Sequence, residues 1–364
     1  MKSSPFESVH ESMGAVFGEY DGWKVPASFG DIEAENRAIQ QDCTVFDLCS
    51  FGRVVVKGNR AEELINAAFA SNTADLADGK WIWAIICDSD GGLVDKVRIC
   101  RTGDSFMVIT SAAKGSVVRA AIKAVRRENG FDGTDIEDVT EKTGMLGLYG
   151  PKAFDSVKSI LPVDISGLEI GDIIKKSFFM IPLTMIRGSL VGGDGVELIC
   201  PVSAAGLAAG AIAKYRDKAN ITPSGMECLA DSMVLAGLPA GLNGMKAANQ
   251  AGPVEFGLKS LVDFDTDFPG KAAVEKVAAE GTKSLLMGLK TESKGSIHKD
   301  LKVQYDDREI GFCDRISFCE QMGCCIGLAL IDSKFTDLDE EIQIVGDDVV
   351  AGGELVKLPF QATS

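Results

Sequence analysis

Histidine is almost missing from this chain: His10 and His298 are the only two in 364 residues. No Cys-x-x-Cys pair occurs either, so the nitrogen and sulfur ligand sets of ordinary zinc sites are not supplied by neighbours in sequence. One cysteine cluster, Cys313, Cys319, Cys324 and Cys325, has neither that spacing nor a histidine set to complete it, and no metal is expected there. The ten cysteines are otherwise scattered through apolar runs such as Ile85-Ile86-Cys87 and Leu198-Ile199-Cys200, which reads as buried free thiols rather than a disulfide framework. Positive charge is also short. Against 37 Lys and Arg stand 53 Asp and Glu, a formal net charge of -16. Such a surface repels phosphate backbones and anionic headgroups, so neither nucleic acid nor membrane is an expected partner. No stretch approaches the roughly 20 apolar residues of a membrane span. Met1-Lys2-Ser3-Ser4-Pro5 runs into Glu7, His10 and Glu11 rather than an apolar leader, and a cytoplasmic protein is expected.

With 46% hydrophobic and 25% charged residues the composition is that of a globular chain, and the length exceeds what one core holds. Apolar periodicity predicts helices over 31–41, 61–70 and 113–128, and strands over 53–57, 81–87, 93–100 and 105–110. Asp88-Ser89-Asp90-Gly91-Gly92 is a turn signal that makes the second and third of these strands a hairpin. A similar order follows. A strand over 145–149 turns at Gly150-Pro151 into a helix, strands over 177–187 and 195–200 are joined by Gly188, Gly192 and Gly193, and a helix spans 204–218. From about Lys283 the pattern changes to short, evenly spaced strands, as in a small barrel or sandwich. The expected architecture is α+β with internal duplication: residues 1–140, 141–282, and a β-rich 283–364.

Several fragments occur in the order found in the aminomethyltransferase superfamily, the family of the glycine cleavage T-protein. They are His10, Gly22-Trp23, Phe46-Asp47, Val56-Lys57-Gly58, Gly91-Gly92-Leu93-Val94-Asp95, Tyr149-Gly150-Pro151, Gly193-Asp194-Gly195-Val196-Glu197, Pro253-Val254-Glu255-Phe256-Gly257 and Asp267-Phe268-Pro269-Gly270-Lys271. The chain resembles that family over essentially its whole length. The resemblance implies a ring-like, three-domain T-protein fold of two related α+β units and a C-terminal β-barrel, with tetrahydrofolate as cofactor. It assigns Glu197 to the pterin ring, whose amino group and ring N–H suit a carboxylate. An ion pair between Glu197 and Arg187 is the purely structural alternative. Trp83, Phe51, Leu190 and Thr110 match other cofactor-side positions.

The substrate side departs from the family. The second Asp of the Gly-Gly-apolar-apolar-Asp-Asp pattern is Lys96, next to Asp95; the Arg of a Gly-x-Arg-Asp segment is Glu227; and a Tyr is Leu190. Strand alternation sets Lys96, Arg98 and Cys100 on one face, and the resemblance makes it the face turned towards folate. What the resemblance implies is a catalytic end of Lys96, Asp95 and Arg98, with Arg98, Glu227 and Cys100 towards substrate. Unless burial lowers its pKa strongly, Lys96 is expected to be a poor base and to act as a fixed cation beside a leaving group. Methyl transfer from a small O- or S-methyl donor of anionic character is then expected. A structural pairing of Lys96 and Arg98 with Glu227 or Asp95 is the alternative. Aminomethyl transfer from a carrier protein, as in glycine cleavage, would bring a positively charged amine to this cationic face. A non-catalytic folate-binding scaffold would carry a Lys-Gly-Cys-Tyr-x-Gly-Gln-Glu motif, whereas the chain reads Gly244-Met245-Lys246-Ala247-Ala248-Asn249-Gln250 there.

Overall fold

The computed structural model describes residues 1–160, 164–178, 181–238, 251–292, 297, 301–346 and 349–360. Two positions named above, Gly244–Gln250 and His298, lie outside them. Internal contacts divide the chain into two compact units, Met1–Ile86 with Val94–Leu229, and Cys87–Leu93 with Ala230–Ser364.

The first unit opens with a small sheet of β1 (Lys2–Ser3), β2 (Val16–Tyr20) and β3 (Trp23–Ser28), with α1 (Glu7–Ser12) between its first two strands. Next come α2 (Ile32–Gln41), capped by the Asp31 carboxylate, and β4 (Cys43–Asp47). Two copies of one pattern follow. In the first, β5 (Phe51–Gly58) and α3 (Ala61–Ala68) lead into the meander β6 (Trp81–Cys87), β7 (Leu93–Thr102) and β8 (Ser105–Ala112), then α4 (Gly115–Glu128) and β9 (Thr134–Asp138). In the second, β10 (Thr143–Tyr149) and α5 (Ala153–Ile160) lead into β11 (Ile173–Phe178), β12 (Ile181–Arg187) and β13 (Gly195–Pro201), then α6 (Ala205–Tyr215) and β14 (Ile221–Pro223). The expected single strand over 177–187 is thus corrected: it contains the end of β11 and all of β12, which pair antiparallel from Phe178↔Ile181.

The duplication is visible in the strand orders, β6-β7-β8-β5-β9 and β11-β12-β13-β10-β4-β14. The strand that precedes the first copy joins the second sheet, whereas the last strand of the first copy stays in its own. β4, which leads into β5, pairs with β10, and β9, which leads into β10, pairs with β5.

Period-two alternation decides which side chains meet the helices. In the first sheet Val54, Val56, Ala84, Ile86, Val97, Ile99, Phe106 and Val108 pack with Leu64 and Ile65 of α3 and Val118, Ile122 and Val125 of α4. The intervening residues, among them Arg53, Trp81, Trp83, Lys96 and Arg98, therefore lie on the helix-free face. The second sheet repeats this arrangement. Leu146, Leu148, Val196, Leu198 and Cys200 pack with Val157 of α5 and Ala209 and Ile212 of α6, leaving Gly147, Tyr149 and Glu197 opposite. Within this unit the two helix-free faces come into contact, because Arg98 of one sheet bonds Glu197 of the other.

The second unit contains part of α7 (Met226–Leu235), then α8 (Lys271–Glu280) and a closed barrel. Its strands are β15 (Ser284–Thr291), β16 (Leu301–Tyr305), β17 (Arg308–Cys319), β18 (Cys324–Asp332), β19 (Ile342–Gly346) and β20 (Val349–Val356), in the order β15-β18-β17-β16-β19-β20. Alternate residues such as Met287 and Leu289, Leu301 and Val303, Ala329 and Ile331, Ile342 and Ile344 form its core. The expected α+β fold with a terminal barrel is what the chain adopts.

Candidate functional site

Glu197 sits mid-strand on β13 and is fully buried. Its cross-strand neighbour is Gly147, and that glycine matters: a Cβ there would stand 2.8 Å from the Tyr149 ring. The space lets Tyr149 turn inward and donate its hydroxyl to Glu197 Oε1 at 2.6 Å. Arg98 Nη2 donates to Oε2 at 2.5 Å, and both side chains of this ion pair are wholly buried. The carboxylate thus accepts one bond on each oxygen. With about two lone-pair sites per oxygen, a second acceptor site remains on each.

Glu197 does sit in a buried ion pair, as the structural alternative has it, but the partner is Arg98 and not Arg187. Arg187 pairs with Asp194, donates to the Gly195 carbonyl at 3.0 Å and stacks on Phe154 at 3.9 Å; it does not serve Glu197. Arg98 takes neither Asp95 nor Glu227. Asp95 accepts from the Ser111 amide at 2.9 Å and hydroxyl at 2.7 Å, and Glu227 accepts from Tyr20 at 2.5 Å.

Arg98 itself is incompletely satisfied. Its Nε and Nη1 are buried with no hydrogen-bond partner, and its guanidinium carbon lies 5.5 Å from the ring centroids of both Trp81 and Trp83. The two indoles meet edge to face at 5.7 Å, and Trp81 is pinned by its Nε1 donating to the Arg187 carbonyl at 2.9 Å. Lys96 Nζ stands 4.3 Å over the Trp83 ring. Lys96, Arg98, Trp81, Trp83, Tyr149 and Glu197 therefore make one cluster with two cations and one carboxylate.

Burial sets the protonation here. Burial, and then the Arg98 charge, push Lys96 down from its ordinary 10.5 to about 8. Near neutral pH the group is still mainly the ammonium, and it gives up its proton more readily than an exposed lysine. Burial, the largest influence, disfavours the Arg98 charge, but Glu197 together with Tyr149 and Cys100 holds that group above its ordinary range. Burial, and then Glu197, lift Tyr149 well above the usual phenol value, so it stays a neutral donor. Cys100, beyond Arg98 on β7, is pushed up to about 12 by burial and is an inert thiol at neutral pH. Asp95 is lifted to about 6 by burial, against the Ser111 hydrogen bonds.

The remaining expected residues are distributed around this cluster unevenly. Leu190, buried in the β12–β13 loop, directs its amide at the Tyr149 hydroxyl. Phe51 and Thr110 are buried at the first residue of β5 and near the last of β8; the Phe51 amide donates to the Leu48 carbonyl, and the Thr110 hydroxyl donates to the Ser111 carbonyl at 2.9 Å. Glu227 lies in the first turn of α7. Sequence reasoning missed Trp81 and Tyr149 as site residues. Trp81 shares the parity of Trp83 on β6, and Tyr149 shares that of Gly147 on β10, so strand alternation was the available signal.

Comparison with known proteins agrees with this architecture. The structure of glycine cleavage system aminomethyltransferase T from Bartonella henselae superposes with a TM-score of 0.88 over 98% of this chain and 97% of that one; at 18% identity this speaks for the fold. An aminomethyltransferase of Saccharopolyspora erythraea is 26% identical over 363 residues, 99% of this chain and 98% of the relative. One of Streptomyces coelicolor is 27% identical over 370 residues, 99% and 97% of the two. Residues 6–266 match the GCVT N-terminal domain, well over half the chain, and the protein belongs to that family.

Proposed function

We propose that this protein is a tetrahydrofolate-dependent one-carbon transferase that demethylates a small O- or S-methyl compound of anionic character. The cofactor side rests on Glu197, a buried carboxylate held by Tyr149 that already accepts a guanidinium. A pterin edge, with an amino group beside a ring N–H, offers the same donors, so the residues present fit the group. Trp83 and Leu190 supply apolar neighbours, with Phe51 and Thr110 further contacts implied by the family resemblance. When bound, tetrahydrofolate supplies the nucleophilic nitrogen that accepts the one-carbon unit.

The single observation that carries the substrate side is Lys96, a cation over Trp83 in the position where the family has a carboxylate. As the bond from methyl carbon to oxygen or sulfur breaks, the leaving atom gains negative charge. The Lys96 ammonium stabilises that charge and can hand over a proton, for which a pKa of about 8 is well matched. Trp83 keeps the ammonium poorly hydrated, which strengthens its field.

A second reading, aminomethyl transfer from a carrier protein, is favoured by the names of the full-length relatives. The Lys96–Arg98 pair argues against it, since an aminomethyl group bears positive charge. The test incubates the full chain with tetrahydrofolate and methyl ethers or methyl thioethers that carry a carboxylate, and in parallel with an aminomethyl-lipoyl carrier. 5-Methyltetrahydrofolate from the first set supports the proposal. Methylenetetrahydrofolate and ammonia from the second would replace it, and binding without turnover in either would point to a non-catalytic folate protein.

A further inference from the structure

We propose that Arg98 occupies the place of the cofactor's pterin edge on Glu197 and, once displaced by it, becomes the receptor for the substrate's carboxylate. This rests on the tetrahydrofolate reading above. The donor pattern is the first reason. A guanidinium and a pterin edge present the same N–H and NH₂ groups on one carbon, and both seek the in-plane lone pairs of a carboxylate. Glu197 is fully buried with Arg98 Nη2 at 2.5 Å on Oε2, so a guanidine-like edge that is to take both oxygens competes with Arg98 for one of them. Tyr149, on the other oxygen, can stay and keep the carboxylate oriented.

Incomplete satisfaction of Arg98 is the second reason. Only Nη2 finds a partner; Nε and Nη1 are buried and unmet between Trp81 and Trp83. Each unmet buried donor costs free energy, and Arg98 leaves two of its three nitrogens unmet where Arg187 leaves one. Leaving Glu197 sacrifices one charge-assisted bond, and a carboxylate ligand returns two through the same fork. Lys96, two residues along the strand and without a carboxylate partner among the described residues, adds a second positive charge for that anion.

Binding order and specificity follow. Cofactor must arrive before an anionic substrate can use Arg98, and the two ligands must strengthen one another by the same factor. The free chain also holds only a small fraction in the cofactor-competent state, which weakens apparent cofactor affinity by that fraction.

Calorimetry on the full chain tests this with tetrahydrofolate and with benzoate, an aromatic carboxylate, as probes. Arg98→Met should bind tetrahydrofolate tighter than wild type by roughly tenfold or more, because the competitor for Glu197 is gone. In wild type, benzoate should bind appreciably only with tetrahydrofolate present, and in Arg98→Met this coupling should vanish. Arg98→Gln, which leaves an amide donor to Glu197, serves if the methionine variant does not fold, and should show the same tightening in smaller measure. A merely structural arginine would give weaker cofactor binding in both variants. Equal or weaker tetrahydrofolate binding by the variants, or benzoate binding indifferent to tetrahydrofolate, overturns the inference and leaves the cofactor reading intact. Absence of tetrahydrofolate binding in wild type and variants overturns both.

Discussion

Two arginines of the first sheet are completely buried, and they are satisfied in opposite ways. Arg53, on β5, donates from all three nitrogens. Nε reaches Thr143 Oγ1 at 2.8 Å, Nη1 the Phe51 carbonyl at 2.5 Å, and Nη2 the Thr140 and Thr143 carbonyls at 2.6 and 3.2 Å. It meets dipoles rather than a charge, and it ties the loop around Leu48–Phe51 to the start of β10. Arg98, on β7, meets a full charge through one nitrogen and leaves two unmet. A guanidinium saturated by fixed carbonyls has nothing to gain from moving, whereas one that is strongly but singly held has a better bonding state available when an anion arrives. Burial alone does not separate a structural from a functional arginine; the count of satisfied donors does.

The contrast can be broken most directly at Arg53. Arg53→Met strands several buried carbonyls and should cost at least about 3 kcal/mol in urea unfolding, with tetrahydrofolate bringing little recovery beyond ordinary ligand linkage. A variant as stable as wild type would remove the distinction. Next in size, Glu197→Gln keeps the shape and a bond to Tyr149 but loses the charge. Tetrahydrofolate affinity should fall by roughly a hundredfold, about 2–3 kcal/mol, measured by calorimetry. Little change there would detach Arg98 from any cofactor role and make it another structural residue.

Lys96→Met should lower the transfer rate by roughly ten- to a hundredfold. Since the ammonium is the active form, wild-type rate should fall as pH rises through about 8, and the variant's profile should be flat there. Stability has the opposite slope. The folded chain releases this proton more easily than the unfolded one, so between about 8 and 10.5 wild-type stability should rise with pH, a rise Lys96→Met should lack. The smallest effect belongs to Cys100→Ala. Its thiol, pushed up to about 12, stays neutral, and transfer should change by less than about twofold.

Much of the fold was legible because it rests on local periodicity. The helices over 31–41 and 61–70 and the hairpin at Gly91-Gly92 differ from the structure by only a few residues. Gly91, with φ of 83°, is needed there for its backbone conformation. The stretch 177–187 was misread because its sequence carries no glycine between the end of β11 and the start of β12, so nothing in the local pattern separated the two strands. Within the cluster, parity correctly put Lys96 and Arg98 on one face, but it could not say what lay across from them.

Side-chain order along the chain settled the family, the α+β repeats and the barrel, since hydrophobic alternation and glycine turns act over a few residues at a time. Only the packing of one sheet on another, residues 99 positions apart in the case of Arg98 and Glu197, decided which cation met which carboxylate. That packing also withdrew Lys96 from water far enough to move its proton affinity. Charge pairing and desolvation are properties of the three-dimensional neighbourhood, and no short stretch of sequence encodes them.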